Sequence, residues 1–171
     1  MTIANVLTLS RIGFIPFICW AITLSTPRAT VWAAVLFALA SLTDYFDGYI
    51  AHRTSTKTSL GSFLDPLADK LLIIMVFSTL SIVGRIDGFS LCAVGLIFFR
   101  ELFMLLLRPK SQIPLLVIPL AKWKTAVQML SAFLFLQEGA LCTVVAVWTL
   151  WVATALSIFT ALMYVKKAIQ H

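Results

Sequence analysis

Asp44-Tyr45-Phe46-Asp47-Gly48-Tyr49-Ile50-Ala51-His52-Arg53 decides how this chain is read, together with Gly61-Ser62-Phe63-Leu64-Asp65-Pro66-Leu67-Ala68-Asp69 just beyond it. The two segments hold four of the seven acidic residues, Asp44, Asp47, Asp65 and Asp69. Apolar sequence surrounds them. A carboxylate at membrane depth costs about 2.5–3.5 kcal/mol on insertion scales, so four cost on the order of 10 kcal/mol. Simple lipid-facing helices do not carry that load. The cluster faces a wet cavity, binds cations, or does both.

Moving outward, the chain is 61% hydrophobic and only 12% charged, with a mean hydropathy of +1.01. That balance leaves too little polar surface to cover a soluble domain of 171 residues. The expectation is one integral membrane domain over residues 1–171, an all-α bundle of six transmembrane helices. Their expected bounds are about Asn5 to Ser25, Thr30 to His52, Leu60 to Val83, Gly88 to Leu107, Leu120 to Gln137 and Ala140 to Val165. The runs are long and lack strict alternation, which favours helices over barrel strands.

Six spans put both termini on one side. With that side cytoplasmic, Arg53, Lys57, Arg108, Lys110, Lys122, Lys124, Lys166 and Lys167 fall at cytoplasmic ends, and only Arg28 and Arg85 fall opposite. The positive-inside rule then gives N-in and C-in, with the carboxylates near the cytoplasmic face. Met1-Thr-Ile-Ala-Asn lacks the basic start of a signal peptide. Cys19, Cys92 and Cys142 stand singly in apolar runs and read as packing residues. The net charge of +6 is spread among helix ends, without a nucleic-acid-reading pattern. Anionic lipid and phosphorylated substrates account for it, and nucleic acid is not an expected partner.

Asp44 and Asp47 are i,i+3 and share a helix face; Asp65 and Asp69 are i,i+4 and share another. A short loop makes their helices antiparallel neighbours, which gathers the four carboxylates. Oxygen ligands of this kind suit hard cations, Mg²⁺ or Mn²⁺, and four of them suffice for two ions. Gly48 and Gly61 would let a ligand approach the helix surface.

The stretch resembles the signature of the CDP-alcohol phosphatidyltransferases, Asp-x₂-Asp-Gly-x₂-Ala-Arg-x₈-Gly-x₃-Asp-x₃-Asp. Asp44, Asp47, Gly48, Ala51, Gly61, Asp65 and Asp69 match in register, and His52 stands where the pattern has Arg. The six-span layout is similar as well, so the resemblance covers most of the chain. It implies a CDP-linked lipid whose pyrophosphate sits on two divalent ions held by the four aspartates. It implies that Gly48 and Gly61 line the nucleotide pocket, that Asn5, Thr8 and Thr58 contact the CDP moiety, and that Asp69 takes the acceptor's proton. His52 or the adjacent Arg53 takes the phosphate contact of the missing Arg.

Phe63 to Lys70, Asn5 to Arg11, the pair Arg100-Glu101 and the run Lys122-Trp-Lys124-Thr125-Ala-Val-Gln128 resemble phosphatidylglycerophosphate synthases in particular. That resemblance implies CDP-diacylglycerol and glycerol 3-phosphate as substrates. Arg100, Lys122, Lys124, Arg11 and Lys70 are the candidates for holding the acceptor phosphate. Related cardiolipin synthases, with phosphatidylglycerol as acceptor, are the alternative within the family. A divalent-cation transporter is the alternative from another class. The resemblance further implies a homodimer in a bacterial cytoplasmic membrane, with the active site facing the cytoplasm.

Overall fold

The computed structural model describes the backbone of residues 3–54, 59–107 and 119–169, and the side chains of residues 8–43, 67–104, 123–163 and 165–166. The described residues form six α-helices: α1 Ile3–Thr23, α2 Pro27–Thr54, α3 Ser59–Ile82, α4 Gly88–Leu107, α5 Pro119–Leu136 and α6 Ala140–Ile169. No strand occurs among the described residues. The observed bounds lie within a few residues of those expected.

Local chemistry sets the turns. Thr26 caps α2, its hydroxyl accepting from the Ala29 amide at 3.3 Å, and Pro27 takes the first helical position, where no amide is needed. At the end of α3, Gly84 has φ +76°. The Gly84 amide donates to Ser81 O at 3.1 Å and the Arg85 amide to Leu80 O at 2.9 Å, a Schellman closure that favours glycine. This closure aims Arg85 back at the bundle. Its guanidinium donates to Thr30 Oγ1 at 3.0 Å and to Phe135 O at 3.4 Å, and lies 3.7 Å from Glu138. One side chain thus ties the α3–α4 turn to the start of α2 and the end of α5.

α1 packs on both α2 and α3, α5 and α6 form an antiparallel pair, and α4 rests on α6. Contacts of α5 with α2 and α3, and of α3 with α4, join the two groups. Among the described residues, α1 links α2 and α3. Ile18, Phe37, Leu72, Val76, Phe77, Leu80, Ile97, Leu136 and Leu150 fill the shared core. Small residues, Ala132, Ala146 and Ala153, let α5 and α6 approach closely. The Ser131 hydroxyl bridges the pair by donating to Ala146 O at 3.0 Å.

The outside of the bundle is apolar. Trp20, Trp32, Trp123 and Trp148 are each about two-thirds exposed, among them Trp148 at 70%. Such a surface is matched by lipid rather than water. One segment, Ala140–Met163, is long and apolar enough to cross a membrane by length and composition among the described residues. The described parts of three further helices, Thr8–Thr23, Pro27–Thr43 and Trp123–Leu136, are also apolar.

Candidate functional site

Polar side chains enter the core at the end of the bundle opposite Arg85. On α1, Thr8 and Arg11 are three residues apart and share a face, and both are fully buried. Arg11 Nη1 donates to Asp69 Oδ1 at 2.5 Å. The Arg11 side chain is 1% exposed and that of Asp69 21%. A charged hydrogen bond of this kind fixes the direction of a carboxylate. Asp69 is therefore held by α1 from inside the bundle while part of it stays open.

The next residue of α3 belongs to a second cluster. Lys70 Nζ lies 3.3 Å from Glu101 Oε2. Arg100 Nη1 donates to Glu101 Oε1 at 2.9 Å, and Lys124 Nζ donates to the same oxygen. Glu101 and Lys124 are both deeply buried, whereas Lys70 keeps 24% of its side chain exposed. Three cations from α3, α4 and α5 thus meet one carboxylate, and the cluster carries an excess of two positive charges. Arg100 also reaches α6: Nε donates to Ser157 O at 3.2 Å and Nη2 to Thr160 Oγ1 at 3.0 Å. Three of its five N–H groups are engaged in this way.

Glu101 explains how the cations share one site. Three ammonium or guanidinium groups so close would repel strongly in a medium of low dielectric constant. One buried carboxylate offsets a single charge and holds the rest in place. The remaining excess suits an anion carrying two charges, such as a phosphomonoester near neutral pH.

Of the residues expected to hold an acceptor phosphate, Lys70, Arg100 and Lys124 are brought together. Arg11 instead faces Asp69. The side chain of Lys122 lies outside the described residues. Asp44, Asp47, Gly48, His52 and Arg53 fall on the last turns of α2, and Gly61 and Asp65 on the first turns of α3. Asn5 falls on the first turns of α1. Their side chains lie outside the described residues, and Thr58 lies outside them altogether. Asp69 is the one member of the carboxylate set whose side chain is described. Its Arg11 contact uses one of about four acceptor positions that a carboxylate offers.

The sequence gives two residues of this region no role of their own. Glu101 stands in it only as the neighbour of Arg100, yet it is the hub of the cluster. Gln128 is 2% exposed on α5, one turn past Lys124. An acid and an amide inside apolar runs were the available signals.

A family model described as CDP-alcohol phosphatidyltransferase matches residues 1–159. A protein of Rickettsia bellii, described as CDP-diacylglycerol–glycerol-3-phosphate 3-phosphatidyltransferase, is 38% identical over 170 residues, 95% of this chain and 92% of its own length. A protein of Wigglesworthia glossinidia brevipalpis with the same description is 33% identical over 96% of this chain and 93% of its own length. A cardiolipin synthase (CMP-forming) of Oryza sativa subsp. japonica is 30% identical over 98% of this chain and 57% of its own length.

Proposed function

The chain belongs to the CDP-alcohol phosphatidyltransferase family, and we infer that it moves the phosphatidyl group of CDP-diacylglycerol onto glycerol 3-phosphate. CMP leaves, and phosphatidylglycerophosphate forms. The observation that carries the choice of acceptor is the cluster of Lys70, Arg100 and Lys124 around Glu101. Its double excess charge matches a phosphomonoester better than the single charge of a lipid phosphodiester. That favours glycerol 3-phosphate over the phosphatidylglycerol used by cardiolipin synthases. Family membership also replaces the divalent-cation transporter reading with a transferase.

Asp44, Asp47, Asp65 and Asp69 form an all-oxygen donor set that fits hard divalent cations, Mg²⁺ or Mn²⁺. Asp69 supports this fit, since its carboxylate is oriented by Arg11 yet still partly exposed. When bound, two such ions supply neutralisation of the diphosphate and of the departing CMP. The chain's own residues do the rest. Gly48 and Gly61 admit the nucleotide, with Asn5, Thr8 and Thr58 beside it and His52 or Arg53 on its phosphate. Lys70, Arg100 and Lys124 seat the acceptor phosphate next to Asp69, with Lys122 at the opening of the site. Arg11 positions the Asp69 carboxylate rather than the acceptor phosphate. Asp69 takes the proton from the acceptor hydroxyl. The freed oxygen attacks the lipid-bearing phosphorus as the bond to CMP breaks.

This reading takes the whole chain as one membrane domain of six crossing helices, N-in and C-in, paired as a homodimer. The polar end of the bundle then opens to the cytoplasm of a bacterial cell, where glycerol 3-phosphate is available, and Arg85 lies on the far side. The test is CMP release from CDP-diacylglycerol by the purified protein, with glycerol 3-phosphate or phosphatidylglycerol as acceptor. Release that requires glycerol 3-phosphate and stops in excess chelator is expected. Release that requires phosphatidylglycerol, or continues in chelator, overturns the acceptor or the metal assignment respectively.

A further inference from the structure

Three buried side-chain atoms on or beside the cation cluster have no hydrogen-bond partner: Glu101 Oε2, Gln128 Nε2 and Ser157 Oγ. Buried polar atoms are nearly always satisfied, because leaving one bare costs its full desolvation. Gln128 is 2% exposed and Ser157 0%. The three atoms come from α4, α5 and α6.

All three residues stand on helices that contribute to the cluster. Gln128 is four residues past Lys124 on α5 and shares its face. Side chains on a helix lean toward its N-terminus, so the Gln128 amide leans back toward the turn of Lys124. Lys124 Nζ donates to Glu101, and Ser157 offers its carbonyl to Arg100. Glu101 Oε2 has Lys70 at 3.3 Å as an ion pair but accepts no hydrogen bond. The set therefore contains one vacant acceptor, one vacant donor and one hydroxyl. A ligand hydroxyl both donates and accepts, and complements that set.

The reaction assigned above leaves one acceptor group without a role. The phosphate of glycerol 3-phosphate meets the cations, and its primary hydroxyl attacks. Its secondary hydroxyl neither forms nor loses a bond. We propose that Gln128, together with Glu101 Oε2 and Ser157 Oγ, binds this secondary hydroxyl and so selects a vicinal hydroxyalkyl phosphate as acceptor. The inference rests on the reading of the acceptor as glycerol 3-phosphate. The spacing suits it: four residues of helix rise about 6 Å, the reach from a phosphate to a hydroxyl two carbons away plus its hydrogen bond.

The test compares glycerol 3-phosphate with 3-hydroxypropyl phosphate, which keeps the primary hydroxyl and the phosphomonoester but lacks the secondary hydroxyl. The wild-type chain should prefer glycerol 3-phosphate by about tenfold or more in kcat/KM, since a site built to bond a hydroxyl rejects the analogue without it. Gln128→Leu and Gln128→Met should lose about tenfold on glycerol 3-phosphate and change little on the analogue, the range of one hydrogen bond. Because both substrates are read on one preparation, the folded fraction cancels from the ratio. Equal losses on both substrates, or an unchanged preference, overturn the inference alone. So does failure of both variants to yield folded protein, which would make Gln128 a packing residue. A wild-type chain that ignores glycerol 3-phosphate overturns the assigned reaction, and this inference with it.

Discussion

Glu101→Gln removes the one negative charge that three cations share among the described residues, while preserving the size of the side chain. In the wild-type chain, the Glu101 and Lys124 side chains are 6% and 7% exposed, Arg100 is 12% exposed and Lys70 is 24% exposed. Breaking a buried ion pair costs about 3–5 kcal/mol, because the abandoned charge stays out of water. Two features move the expected cost to the low end of that range. The glutamine carbonyl can still accept from Lys124, and Arg100 keeps its bonds to Ser157 and Thr160 on α6. About 3 kcal/mol, at about 2–4 °C per kcal/mol for a chain of this size, lowers Tm by roughly 6–12 °C. The same change raises the excess charge of the site from two to three. Glycerol 3-phosphate should therefore stabilise Glu101→Gln more than the wild type, each tenfold gain in affinity adding about 1.4 kcal/mol at saturating ligand. Thermal unfolding in detergent, followed by tryptophan fluorescence with and without glycerol 3-phosphate, measures both effects. A variant that melts within about 1 °C of the wild type, with an equal response to the ligand, would refute the claim that this carboxylate holds the cations together.

Asp69→Asn should keep the fold, because the amide oxygen can still accept from Arg11, yet lose at least about a hundredfold in kcat through removal of the base. Single-turnover CMP release checks it, and a rate near wild type would move the base elsewhere. His52→Arg should be tolerated and should tighten CDP-diacylglycerol binding, since arginine offers a permanent forked charge, whereas Arg53→Ala should raise KM for the CDP-lipid by about tenfold. A severe loss from His52→Arg with Arg53→Ala harmless would assign the phosphate to the imidazole. Arg85→Ala should cost about 1–2 kcal/mol of stability by removing its ties to Thr30 and Phe135 O, with kcat/KM unchanged in the folded protein. A stability equal to wild type in denaturant would show that those ties add nothing.

The helices were legible because their ends carry local chemistry. Thr26-Pro27 and Gly84 act through contacts that span three to five residues, so the ends near them are set locally. The register of Asp44, Asp47, Gly48, Ala51, Gly61, Asp65 and Asp69 identified the family for the same reason, since all its spacings are local. The partners of the charges were not legible. Arg100 and Glu101 are adjacent in sequence, which suggested a simple pair. The structure adds Lys70 and Lys124 to Glu101, and α6 to Arg100. Those contacts depend on how α3, α4, α5 and α6 cross, and no periodicity in one helix encodes that. Arg11 shows the same limit: it could equally have served a phosphate, and only the packing of α1 on α3 directs it to Asp69.

That division has a physical consequence for how the site works. The charges that stabilise the bundle and those assigned to the acceptor are the same charges. At the far end, Arg85 meets Thr30, Phe135 O and Glu138, and one base is balanced by one acid. At the site end, three bases meet Glu101, and two positive charges remain. An unbalanced buried excess is costly without an anion. On the proposed function the substrate phosphate offsets that excess, so binding should tighten the contacts among α3, α4, α5 and α6 together. Amide hydrogen exchange provides the measurement. Protection added by glycerol 3-phosphate should spread through the buried turns around Lys70, Glu101, Lys124 and Ser157 and leave the Arg85 end unchanged. Protection confined to one helix, or equal at both ends, would separate the anion site from the stability of the bundle.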